Sequence, residues 1–193
     1  MKKFKAAIIV FPNVEELDFV GVWETLGTLE HFSEEYFEKH LVTIISDKII
    51  KCAHGLTILA DMKLTDLTDY DVIIVPGGPG VREAMKNEML LTKIKCAYEA
   101  GKLISSVCTG AFILAKAGLL RGKRATTYHK QLKNLAQFNV KVLKQRVVAE
   151  ENIITGAGVT ASIDVGLKII ETILGKEKAK KVAEWIEYPF YHK

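Results

Sequence analysis

Long apolar runs alternate along this chain with stretches in which apolar residues recur at helical spacing. The runs at residues 4–11, 71–75 and 103–107 are nearly uninterrupted, which is typical of strands buried on both faces. Helical periodicity follows the first run over residues 15–32 and returns over residues 160–174. Strands that alternate with helices in this way predict a mostly parallel sheet covered on both faces. The fold class is therefore predicted to be α/β, a flavodoxin-like doubly wound sheet in three layers.

Turn residues divide the rest of the chain into shorter elements. His54-Gly55 stands between two β-rich runs and predicts a small β-hairpin excursion over residues 49–59. Gly101 follows a helical stretch and is predicted to end it. No linker, repeat or shift in composition divides the chain, so residues 1–193 are predicted to form a single domain. The other predicted elements are strands at residues 41–46 and 125–128, a hairpin at 146–148 and 152–155, and helices at 81–86, 90–100, 130–137 and 177–188.

One strand runs directly into a helix, with a cysteine at the junction. The apolar run at residues 103–107 ends in Cys108, and a helical pattern follows Thr109 and Gly110 without a breaker until Gly118. Such a sharp turn lifts a side chain out of the sheet and leaves the next amides facing whatever it attacks. The positive end of the helix dipole is expected to lower the pKa of the Cys108 thiol. A buried cysteine can also be a simple core residue, but open α/β sheets bind ligands at the carboxyl ends of their strands.

Two further loops are predicted to reach the same edge of the sheet. The first strand is followed by PNVEELD, which places Glu15, Glu16 and Asp18 at the start of a helix. The helix dipole explains solvated glutamates there, whereas Asp18 lies in an apolar stretch that should desolvate its carboxyl and raise the pKa. Another strand is followed by PGGPG, where Gly77 and Gly78 let backbone amides approach a ligand closely. A nucleophile, an acid and N–H donors around one point can attack an electrophilic carbon and hold the resulting anion.

Composition argues against several classes of protein. Hydrophobic residues make up 49% of the chain and charged residues 26%, as in ordinary globular domains. Charge interrupts the apolar runs within about ten residues, so no membrane span is predicted and the cytoplasm is the expected compartment. The net charge of +4 comes almost entirely from scattered lysines, which does not favour nucleic-acid binding.

The cysteines and histidines predict neither a disulfide framework nor a metal site. The chain has 3 cysteines without Cys-x-x-Cys spacing, and Cys96 is predicted to lie in a helix core. His31, His40, His54 and His192 stand in separate segments without the spacing of metal ligands. No metal and no cofactor are therefore expected.

Four stretches of the sequence resemble the ThiJ/PfpI family, the superfamily that also holds the parkinsonism-associated deglycase and class I glutamine amidotransferase domains. They read EELDFVGVWETL, YDVIIVPGGPG, ISSVCTGAFILAKAGLLRGKRATTYH and ITGAGVTASIDVGLKIIE, stand in family order and span nearly the whole chain. The third is typical of the branch that includes isonitrile hydratase. The resemblance implies a flavodoxin-like homodimer with Cys108 as nucleophile, Asp18 as its acidic partner, and the Gly78 and Thr109 amides as an oxyanion pocket.

Three positions depart from other branches of this family. The protease-like branch carries histidine where this chain has Thr109, and deglycase and glyoxalase members carry glutamate where this chain has Asp18. Those members also carry histidine at the position of Tyr128. His129 follows one residue later and is expected to face the opposite side of a strand. Proton transfer would then fall to Asp18, which matches the isonitrile hydratase pattern.

The favoured function is that of a cysteine-dependent hydrolase or hydro-lyase on a small electrophile, with isonitrile hydration as the leading reaction. Cys108 would attack, Asp18 would supply a proton, and Thr109 would orient substrate or water. Cys108 and Asp18 are expected to titrate as a pair, with the charge on sulfur and Asp18 protonated. The oxyanion- and substrate-binding residues would be Gly77, Gly78, Gly110 and Tyr128.

Other functions remain open on the sequence. A redox-responsive protein with an oxidisable Cys108 is the alternative from a different class. Protease, amidase, deglycase and glyoxalase activities are further alternatives. The expected partners are a small-molecule substrate and a second copy of the chain, with no nucleic acid and no membrane.

Overall fold

A computed structural model describes residues 2–189 and 191 of the chain. Its strands are β1 (Lys2–Val10), β2 (Glu35–Thr43), β3 (Ile49–Lys51), β4 (Thr57–Leu59), β5 (Met62–Lys63), β6 (Val72–Val75), β7 (Leu103–Ser106), β8 (Arg124–Ala125), β9 (Lys141–Val142), β10 (Val147–Glu150) and β11 (Ile153–Gly156). Its α-helices are α1 (Glu16–Thr28), α2 (Val81–Ala84), α3 (Glu88–Glu99), α4 (Ala111–Lys116), α5 (Leu132–Ala136), α6 (Ala161–Leu174) and α7 (Lys176–Trp185). Short 3-10 helices cover Leu29–His31, Cys108–Gly110 and His129–Gln131.

One seven-stranded sheet forms the centre of the molecule, in the order β10-β11-β7-β6-β1-β2-β5. Every neighbouring pair in it is parallel except β10 and β11, which form an antiparallel hairpin. All residues of β6 and β7 are buried, as expected for strands covered on both faces. Helices α1, α6 and α7 pack against one another, and α3 packs with α4. The predicted flavodoxin-like α/β fold is confirmed.

Most predicted elements are present, with the following corrections. Strand β2 begins at Glu35, well before residue 41, and pairs with β1 over its whole length. The strand predicted at residues 125–128 ends at Ala125, and β5 and β9 were not predicted. Cys96 is exposed on α3 and does not lie in a helix core. The β3–β4 hairpin is antiparallel as predicted, and Gly101 follows α3 with a φ of 78°.

The three predicted loops converge at the carboxyl edge of the sheet. The Glu15 N–H donates to the Gly77 carbonyl (3.0 Å), which joins the start of α1 to the loop after β6. The Val107 N–H donates to the Val75 carbonyl (3.1 Å), which joins that loop to the end of β7. Among residues 2–189 and 191, no helix combines the length and apolar character needed to cross a membrane.

Candidate active site

Cys108 occupies a strained turn between β7 and α4. Val107 is still extended, and Cys108 then adopts a φ of 55°, a left-handed conformation that a residue with a Cβ rarely takes. Two hydrogen bonds fix its peptide groups: the Cys108 N–H donates to the Ala157 carbonyl (2.9 Å), and the Thr127 hydroxyl donates to the Cys108 carbonyl (2.7 Å). Strain of this kind costs on the order of 1–3 kcal/mol and persists where surrounding contacts enforce it. Cys108 therefore stands at a sharp turn from a strand into a helical segment.

The sulfur of Cys108 lies in a poorly solvated position, because only 7% of the residue is exposed. Burial and the neighbouring Asp18 charge raise the pKa of the Cys108 thiol to about 12. The backbone N–H groups of Thr109 and Val159 and the Thr109 side chain act in the opposite direction and lower that pKa. The expectation of a lowered thiol pKa is thus wrong for this site, because desolvation outweighs the hydrogen-bond donors around the sulfur.

Asp18 lies in the first turn of α1 and is fully buried. Its Oδ2 accepts a hydrogen bond from the Gly77 N–H (2.8 Å), whereas Oδ1 is buried without a partner of good geometry. Burial, and to a smaller extent the Glu15 charge, raise the pKa of Asp18 to about 8, against the lowering effects of the Gly77 N–H and the Cys108 side chain. This raised pKa agrees with the expectation for Asp18. Burial raises the pKa of both groups, so it favours the protonated carboxyl and the protonated thiol over the expected charge on sulfur.

The backbone N–H groups of Gly77 and Gly78, in the loop after β6, donate hydrogen bonds to the predicted catalytic residues Asp18 and Thr109. The Gly77 N–H is already committed to Asp18. The Gly78 N–H donates to the Thr109 hydroxyl oxygen (3.0 Å). This N–H could donate to an oxyanion only if the Thr109 side chain rotated and broke that hydrogen bond. Gly78 has a φ of 116°, and a Cβ there would lie 2.5 Å from the Glu15 nitrogen, so only glycine fits.

Gly110 does not have the predicted role. Its N–H donates to the Val107 carbonyl (2.9 Å) within the 3-10 turn and is not available to a ligand. A Cβ on Gly110 would lie 2.1 Å from the Val75 carbonyl oxygen, so this glycine allows α4 to pack closely against the end of β6. The amide of Val159, which the sequence pattern did not single out, faces the sulfur instead.

A cavity of about 550 Å³ opens above Cys108. Of the predicted site residues, Cys108, Thr109, Gly78 and Tyr128 line it, whereas Asp18, Gly77 and Gly110 do not. Tyr128 packs over Gly158, where a Cβ would lie 2.7 Å from the ring. The other lining residues are Glu15, Pro79, Val81, Arg82, Met85, Phe112, Gln131, Asn134 and Val159.

His129 does not line the cavity, but the reason differs from the predicted one. The chain leaves β8 after Ala125 and enters a 3-10 helix at His129, so strand alternation does not set the direction of this side chain. The imidazole instead packs edge-on against the Tyr128 ring, with centroids 4.5 Å apart. Tyr128 therefore lines the cavity, and His129 does not pair with Cys108.

Glu15, Glu16 and His54 form a cluster that the sequence did not indicate. The His54 N–H donates to Glu16 Oε1 (2.7 Å), and His54 Nε2 lies 3.1 Å from Glu15 Oε1. One ligand atom from each residue lies within 4.8 Å of the others, so the cluster could hold a cation. The hydrogen bonds also account for the arrangement, because they attach the β3–β4 hairpin to the start of α1.

Comparison with known proteins gives consistent matches over most of the chain. A model of the DJ-1/PfpI family matches residues 4–172. Isonitrile hydratase of Pseudomonas putida is 37% identical over 183 residues, which cover 93% of this chain and 76% of that protein. The glutathione-independent glyoxalase DJR-1.2 of Caenorhabditis elegans is 30% identical over 184 residues, covering 92% and 94%. The crystal structure of a ThiJ/PfpI family protein from Pseudomonas syringae superposes with a TM-score of 0.86 at 30% identity, over 98% of this chain and 76% of that chain.

Proposed function

The chain belongs to the DJ-1/PfpI family, and we propose that it is a hydro-lyase that adds water to an isonitrile, with Cys108 as nucleophile and Asp18 as proton donor. The observation that carries this proposal is the buried Asp18 carboxyl, with a pKa raised to about 8, in contact with the side chain of Cys108, which lines the cavity. The isonitrile hydratase of Pseudomonas putida, at 37% identity, supports the reaction class.

The protonated Asp18 suits this chemistry because the terminal carbon of an isonitrile must gain both a proton and a nucleophile. Asp18 gives its proton to that carbon while the sulfur of Cys108 bonds to it, and the thiol proton passes to the Asp18 carboxylate. The product is a thioimidate, R–N=CH–S–Cys108, in which the thiol has added across the carbon. A raised pKa keeps a carboxyl protonated at neutral pH, as a general acid requires.

Water completes the reaction at the same carbon. Its oxygen bonds to the thioimidate carbon, and its two protons go to the nitrogen and, through the tetrahedral intermediate, to the departing sulfur. The C–S bond breaks, which releases the formamide R–NH–CHO and restores the thiol. Thr109 lines the cavity next to Cys108, and its hydroxyl would orient this water. The N–H groups of Thr109 and Val159 would stabilise negative charge that develops on sulfur.

Formamide production from a simple isonitrile tests the proposal. Cys108→Ala and Asp18→Asn should each lower kcat by about a hundredfold or more, because each removes a group that acts in the transition state. Cys96→Ala removes an exposed cysteine from α3 and serves as the control, with activity unchanged. Full activity in either site variant would rule out the mechanism. Methylglyoxal in the same screen tests the glyoxalase alternative.

We also propose that the protein forms a homodimer through α1 and the β3–β4 hairpin. Leu17 and Val20 on α1 and Ile49, Leu56 and Leu59 on or beside the hairpin are large apolar side chains that are 38–68% exposed. The hairpin lies against the start of α1, because the Ala53 N–H donates to the Val14 carbonyl (2.9 Å). Apolar residues grouped on one face are typical of an interface.

Sedimentation in the analytical ultracentrifuge tests the dimer. Wild type should have the mass of a dimer, and Leu59→Lys should have the mass of a monomer. A monomeric wild type at micromolar concentration would contradict the proposal.

A further inference from the structure

The cavity above Cys108 combines apolar walls with one arginine, Arg82, that has no partner among the described residues 2–189 and 191. We propose that it selects electrophiles that carry an apolar body and a terminal carboxylate, and that Arg82 binds this carboxylate. The identity of the reacting group, an isonitrile, rests on the proposed function, whereas the recognition of the remainder of the molecule rests on the cavity alone.

The apolar side chains that line the cavity predict a ligand with a large apolar portion. Val81, Met85, Phe112 and Val159 line the cavity, and the Phe112 ring is held edge-on against Phe138 with centroids 5.9 Å apart. The volume of about 550 Å³ lies within the range of roughly 300–1,000 Å³ that binds drug-sized ligands. An isonitrile group alone would leave most of this space unfilled.

The charged residues that line the cavity predict that its ligand has an anionic end. Glu15 and Arg82 are the charged lining residues, and Glu15 already contacts His54 Nε2 at 3.1 Å. Arg82 is exposed on α2, and within residues 2–189 and 191 its guanidinium takes part in no hydrogen bond or ion pair. A guanidinium presents its donors in a planar fork that matches a carboxylate in two parallel hydrogen bonds.

The remaining charges favour a carboxylate over a phosphate. The Asp18–Cys108 pair is neutral while Asp18 holds its proton, so one negative charge on the substrate does not meet a charged catalytic pair. Glu15 on the same lining would repel a dianion more strongly than a monoanion. A singly charged, planar carboxylate therefore fits the cavity best.

Matched isonitriles test this selectivity. An ω-isocyano alkanoate and its primary amide share the reacting group and the chain and differ in charge at the far end. Wild type should prefer the carboxylate by about five- to tenfold in kcat/KM, a modest factor because Arg82 is exposed. Arg82→Gln should abolish the preference. Arg121→Gln, which removes an exposed arginine outside the cavity lining, should retain it.

A binding measurement separates this proposal from the proposed reaction. Octanoate should bind to wild type more tightly than octanamide does in isothermal titration calorimetry, and Arg82→Gln should remove the difference. If isonitriles are not hydrated but this difference in binding is seen, the proposed function fails and the carboxylate site stands. Equal binding of acid and amide, an unchanged preference in Arg82→Gln, or tighter binding of octyl phosphate would overturn the carboxylate site.

Discussion

Asp18→Asn should change how the stability of the protein depends on pH while it preserves the shape of the site. Asparagine can accept the Gly77 N–H through its oxygen, as Asp18 Oδ2 does at 2.8 Å. Its amide can donate toward the Cys108 side chain, as a protonated carboxyl would. The variant therefore mimics the protonated aspartate but cannot ionise or transfer a proton.

The size of the effect follows from the raised pKa of Asp18. The folded-state pKa is about 8, whereas an unfolded aspartate titrates near pH 3.9, roughly the model-peptide value. Between these pH values the folded protein binds one proton more than the unfolded chain, so its free energy of unfolding falls as the pH rises. The slope approaches about 1.4 kcal/mol per pH unit, so Asp18→Asn should gain up to roughly 4 kcal/mol relative to wild type between pH 5 and 8.

Urea unfolding at pH 5, 6, 7 and 8 measures this difference. Other ionisable groups are shared by the two proteins, so subtracting the curves isolates Asp18. Asp69→Asn, which removes an exposed carboxylate, controls for the change of charge. Parallel curves for wild type and Asp18→Asn would mean that Asp18 is ionised throughout this range, and its assignment as the proton donor would fail.

Two further positions test local contacts that stabilise the fold, one next to the site and one at the start of α3. Gly110→Ala should destabilise the protein by about 3 kcal/mol or more, because the new Cβ would lie 2.1 Å from the Val75 carbonyl oxygen. Gly122→Ala is the control: a Cβ there meets no atom within 4 Å, and the φ of 74° should cost only about 1 kcal/mol. Equal costs would refute the packing role of Gly110. Asn87→Ala should cost about 1 kcal/mol because it removes the cap that accepts the Leu90 N–H at 3.0 Å, and Asn87→Ser should recover most of it in the same urea assay.

The sequence predicted the elements that are set by continuous apolar runs and strong turn residues. The central strands, the Cys108 junction and the desolvated Asp18 all follow from local patterns. The pattern predicts too late a start for β2 because Glu38, Lys39 and His40 interrupt the apolar residues of its first part, where only Phe37 is buried. It is a strand because β1 pairs with it in register, which is a tertiary contact.

The rest of the site depends on contacts that no local pattern encodes. The Val159 amide reaches the sulfur because the loop after β11 lies against β7, where the Cys108 N–H donates to Ala157. The thiol pKa was mispredicted for the same reason: the helix dipole is a local property, whereas burial depends on the whole fold. Arg82 could be placed near the cavity only when α2 was known to form one of its walls.

The neutral Asp18–Cys108 pair bears on the choice between hydration and redox sensing. Oxidation by peroxide proceeds through the thiolate, so a thiol whose pKa is raised to about 12 should react slowly at neutral pH. Isonitrile hydration instead consumes a proton from the site in its first step, and the resting state holds that proton on Asp18. Under mild peroxide, Cys108 should therefore be oxidised no faster than the exposed Cys96, as measured for each cysteine peptide by mass spectrometry. Rapid and selective conversion of Cys108 to the sulfinate would mean that its thiolate is populated, and the sensor function would then be favoured over hydration.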